Sequence, residues 1–63
     1  MDTYRFFAVN ESGRVISLRW IECGDDADAR MVARSLVTER CGIEVWDVGR
    51  QVSQLPRGER AGA

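Results

Sequence analysis

Hydrophobic and β-favouring residues cluster first between Thr3 and Asn10, then, after Glu11-Ser12-Gly13, again between Arg14 and Cys23, a stretch rich in Val, Ile, Leu and Trp. Two such runs flanking turn residues predict a β-hairpin, with Gly13 supplying the positive φ of a three-residue loop that ends in a glycine bulge. This loop sets Asn10 opposite Arg14. Continuing the same register makes Tyr4, Phe6 and Ala8 face Trp20, Leu18 and Ile16 on one apolar side. The opposite side then carries Arg5, Phe7 and Val9 with Val15, Ser17, Arg19 and Ile21, a mixture of apolar and cationic groups.

The period changes after Gly24. Asp25 is placed to cap a helix whose first turn is acidic, and Ala29, Val32, Ala33, Leu36 and Val37 recur at helical spacing. With Gly42 as its closing residue the helix would run for about four turns. Its small Ala29 and Ala33 would allow close approach over Phe6, Leu18 and Trp20. Ile43 to Val48 and Gln51 to Leu55 predict a third and fourth strand about an Asp47-Val48-Gly49-Arg50 turn. A right-handed crossover returns the third strand beside the first. The expected fold class is therefore α+β: a small antiparallel ββαββ sheet of order 2-1-3-4 with one helix packed on one face. Residues 1–55 form the single domain, and 56–63, after Pro56, a flexible tail.

Composition narrows the functions this fold could serve. The chain has 63 residues, 44% of them hydrophobic and 30% charged, which allows one small globular domain with a modest core. A net charge of −1 provides no whole-molecule attraction to nucleic acid or anionic lipid. All nine basic residues are arginine, a bias of coding as readily as of chemistry. No signal-peptide pattern opens the sequence, and no apolar run approaches the roughly 20 residues that span a bilayer, so a cytoplasmic location without membrane contact is expected.

Histidine is absent, which removes the commonest general base and metal ligand, so neither an enzyme nor a cofactor or metal is expected. Cys23 and Cys41 sit at opposite ends of the predicted helix, beyond the roughly 7 Å between Cα atoms that a disulfide tolerates, and are read as free, buried or half-buried thiols. Asp25, Asp26 and Asp28 are read as capping and dipole-compensating acids rather than a cation site.

One helix covers one sheet face, so the other is the candidate interface, with Phe7, Val15, Arg19 and Ile21 as its residues. Trp46 shares a side with Glu44 and Val48, and either completes the core or joins this interface as an anchor. A small domain without disulfides or metals gains stability by association, which favours an interaction module that homodimerises through the open face or binds another protein. The alternative is weak binding of single-stranded nucleic acid by Arg5, Arg14, Arg19 and Phe7.

The pattern Tyr4-Arg5-Phe6-Phe7, Gly13-Arg14-Val15, Asp25-Asp26 before an alanine-bearing helix, Glu44-Val45-Trp46-Asp47 and Gly49-Arg50 resembles short uncharacterised ββαββ proteins of alphaproteobacteria, a domain of unknown function. The likeness spans roughly residues 4 to 55 and implies the same fold, with no activity or site residues to carry over. The hairpin-then-helix half also resembles HicB-type antitoxins, without the DNA-binding segment appended there.

Overall fold

A computed structural model of the chain describes residues 1–58, which form β1 (Asp2–Val9), β2 (Val15–Cys23), α1 (Asp26–Leu36), β3 (Gly42–Asp47) and β4 (Arg50–Leu55). The four strands make one antiparallel sheet in the order β2-β1-β3-β4, and α1 lies on one face, the architecture expected from the pattern. Between helix and sheet the core consists of Tyr4, Phe6, Cys23, Ala29, Ala33, Val37, Ile43 and Val45. Ala29 and Ala33 of the helix are fully buried, and it is their small size that lets the helix backbone settle over Tyr4 and Phe6. Leu18 and Trp20, expected beneath the helix with Phe6, lie on the other face.

That correction comes from a single inserted residue. The first hairpin begins as predicted: the Asn10 N–H donates to the Arg14 carbonyl at 2.8 Å, the Gly13 N–H donates to the Asn10 carbonyl at 2.9 Å, and Gly13 has φ +81°. The Asn10 side-chain carbonyl accepts from the backbone of Ser12 and of Arg14, locking the loop. Val9 still pairs with Val15, but the next pair is Ala8 with Ser17, so Ile16 is an extra residue that bulges from β2. Every pair beyond it is displaced by one. Tyr4 pairs with Ile21, Phe6 with Arg19 and Phe7 with Leu18, and β2 presents to the helix the side expected to face away. The displacement brings Ile21 against the core and buries Cys23 completely at the end of the strand.

The helix starts as expected and stops early. Asp25, extended at φ −160°, accepts from the Asp28 N–H at 2.8 Å, and Asp28 accepts in return from the Gly24 N–H at 3.0 Å. This reciprocal pair satisfies one free backbone donor of the first turn and the donor just ahead of the cap. The helix then runs for 11 residues, not about four turns, because Val37 leaves it in an extended conformation. A separate turn follows, in which the Thr38 hydroxyl accepts from the backbone of Arg40 and of Cys41. Gly42, predicted to close the helix, instead opens β3. A Cβ at this position would lie 2.5 Å from the Leu55 carbonyl oxygen, so glycine is required by the close approach of β4.

In the β3–β4 hairpin Asp47 pairs with Arg50 across two residues of positive φ, Val48 at +26° and Gly49 at +84°. Residues 56–58, expected as the start of a flexible tail, fold back: the Gly58 N–H donates to the Thr38 carbonyl at 2.7 Å, and Arg57 lies 3.7 Å from Glu11. Residues 59–63 of that tail lie outside the described residues.

Candidate functional site on the open sheet face

Cross-strand pairing arranges the face away from α1 in two rows. Trp20, Arg5, Trp46 and Gln51 form one, and Leu18, Phe7, Glu44 and Gln54 the next. The Arg5 guanidinium lies 6.0 Å from the Phe7 ring centre and 5.9 Å from that of Trp20, close enough for the quadrupole of each ring to hold the cation over the sheet. The Trp46 indole N–H donates to the Glu44 carboxylate at 3.3 Å. Val15 borders the hollow lined by Arg5, Phe7, Glu44 and Trp46, while Val48 and Gly49 border a neighbouring hollow with Thr3, Arg5 and Trp20. Trp20 is 64% exposed, an unusual state for so large an apolar side chain.

Of the five residues proposed from sequence, Phe7, Val15 and Trp46 come together here. Arg19 and Ile21 do not. Arg19 pairs with Phe6 and borders a cleft with Ser17 and Leu36 on the helix side, and Ile21 packs against the core. Their places are taken by Leu18 and Trp20, which simple alternation assigns to the core. Parity was the available signal. Ile21 and Cys23 share a side with Ser17 and Arg19, so burying the end of β2 beneath the helix start turns Leu18 and Trp20 outward. Val48 was recognised as a turn residue but not as part of the face.

A polar cluster on the helix side holds the tip of the second hairpin. The Tyr4 hydroxyl donates to Asp26 at 2.8 Å, Arg50 grips the same carboxylate with two N–H groups at 3.1 Å each, and Asp47 accepts from Arg50 at 3.3 Å. The Arg50 and Tyr4 hydrogen bonds hold the Asp26 carboxyl below its ordinary range. Conversely, the bond to Asp26, reinforced by burial and by nearby carboxylates, pushes Tyr4 up to about 12. The arrangement ties the start of α1 to β1 and to the β3–β4 hairpin. Both cysteines are free; burial, with Asp28 and Asp25 nearby, pushes the Cys23 thiol up, so it keeps its proton and is a poor nucleophile.

Among the described residues no three His, Cys, Asp or Glu side chains converge as metal ligands, and no helix is long and apolar enough to cross a membrane. Comparison with protein families, with curated proteins and with solved structures found no match to this chain.

Proposed function

We propose that this chain is a non-catalytic interaction module that homodimerises through its open sheet face. The observation that carries the reading is the exposure of Val15, Ile16, Leu18 and Trp20 on and beside a sheet face that also presents Phe7 and Trp46. Size supports it. The molecule is a slab with extents of 30 × 25 × 15 Å, and its broad face is of the order of the ~800 Å² that each partner contributes to a standard interface. Charge favours a second copy as the occupant. Arg5 and Glu44 lie in adjacent rows, and neither has an ion-pair partner among the described residues. A two-fold axis through the face would set each Arg5 against Glu44 of the other copy, a self-complementary arrangement.

Binding of single-stranded nucleic acid draws less support, because Arg5, Arg14 and Arg19 are divided between the open face, the hairpin turn and the helix side. Only Arg5 accompanies Phe7, and Glu44 stands beside them.

Light scattering across a size-exclusion peak, under reducing conditions at micromolar concentrations, tests the reading. The expected mass is twice the 7.1 kDa of the chain, and Phe7→Glu should return it to that of one chain. A wild-type protein that stays at the mass of one chain throughout would end the proposal; a Phe7→Glu variant that remains dimeric would move the interface elsewhere.

A further inference from the structure

We infer that Val48 is a contact residue of this dimer, retained for the second copy in a turn position unfavourable to valine; the inference rests on the self-association reading above. A two-residue hairpin turn with both central residues at positive φ is suited by Asn, Asp or Gly, and a β-branched side chain at positive φ is an outlier. Val48 adopts φ +26° there and is 91% exposed, so packing within the chain does not offset the strain. Its neighbours prevent escape. Asp47 and Arg50 on either side are tied together and, through Arg50, to Asp26 at the start of the helix, which fixes the direction of the hairpin tip.

The tip borders the open face. Val48 shares the rim of a hollow with Thr3, Arg5 and Trp20, so a second copy seated on the open face meets this turn at the border of the sheet. An exposed, strained apolar residue beside an exposed tryptophan thus extends the apolar surface beyond the flat of the sheet. It places a rigid knob where a second copy would meet it.

The experiment compares wild type, Val48→Asn and Val48→Thr by two readouts: the dimer Kd from concentration-dependent mass, and the urea midpoint measured on protein diluted well below that Kd. Asparagine suits the turn but removes the apolar contact, so Val48→Asn should weaken the dimer about tenfold while raising the midpoint of the monomer. Threonine keeps the branched shape and its strain, so Val48→Thr should weaken the dimer and leave the midpoint unchanged. An unchanged Kd in a dimeric protein overturns the inference and leaves the sheet-face reading standing. A fall in both Kd-derived affinity and midpoint for Val48→Asn also overturns it, because valine would then be serving the turn. A wild-type chain that is monomeric throughout overturns both readings.

Discussion

β2 and β3 pair with opposite edges of β1, and β2 is the more apolar of the two, yet it is the more exposed. No residue of β3 is fully exposed, and Gly42, Ile43 and Val45 are buried; on β2 every residue from Val15 to Trp20 is exposed. The cause is position. β3 has a strand on each side and lies under α1, whereas β2 is an edge strand and the helix sits more over β3 and β4 than over it. Hydrophobic content therefore does not decide burial in this fold; the face a residue takes, its distance from the sheet edge and, on the helix side, the reach of an 11-residue helix do. Val15, Ile16, Leu18 and Trp20 form an apolar surplus that the chain cannot cover by itself.

The contrast can be broken from the buried side with the largest effect. Phe6→Ala removes a ring that is fully buried between sheet and helix and should destabilise the protein by about 3–5 kcal/mol, a large part of what a domain this small can hold. Circular dichroism during urea titration would show it; a loss below about 1 kcal/mol would mean that the core is not organised around this ring. Gly42→Ala drives a methyl group against the Leu55 carbonyl and should cost about 1–3 kcal/mol through displacement of β4 from β3. An unchanged urea midpoint would contradict the close approach.

Acid and alkaline unfolding sharpen the comparison, because the titrating cluster lies on the helix side. Asp26 has its carboxyl lowered from 3.8, so its contribution is present above that pH and is lost as pH falls through the lowered native value. Tyr4 is raised from 10.0 to about 12, so its contribution is present below pH 10 and is lost as pH climbs to about 12. Tyr4→Phe should flatten the alkaline limb of the stability profile while leaving the fold intact. Persistence of that limb would place its cause elsewhere.

The smallest effect belongs to β2. Trp20→Ser, measured on dilute monomer, should cost no more than about 1 kcal/mol, the order of its cation–π contact with Arg5, although it deletes the larger aromatic side chain. A loss comparable to that of Phe6→Ala would show that Trp20 belongs to a core, contrary to the register.

The strand order and the helix start were legible because each rests on local chemistry: turn residues at Asn10 to Gly13, an aspartate cap at Asp25, and apolar spacing through Ala29 and Ala33. The face of β2 was not. Both of its alternations are apolar, Ile16-Leu18-Trp20 on one side and Val15-Ile21-Cys23 on the other, and one bulged residue exchanges them. A period of two carries no trace of an insertion, and an edge strand beyond the helix tolerates Ser17 and Arg19 on the core side without burying them. The helix end was misplaced for a related reason. Gly42 reads as a helix terminator, but it is β4, distant in sequence, that requires a residue without a side chain. The Asp26–Arg50 contact likewise joins residues far apart in the chain and leaves no local signature.

Both tryptophans of the chain, Trp20 and Trp46, lie on the open face and neither belongs to the buried core, so intrinsic fluorescence reports on this surface without substitution. A dilution series from the upper micromolar range downward, followed by tryptophan emission and by mass on the same samples, tests the central claim most directly. Self-association through the face predicts a red shift on dilution, with the same midpoint as the change from two chains to one. Emission independent of concentration, with the mass of a single chain throughout, would contradict it.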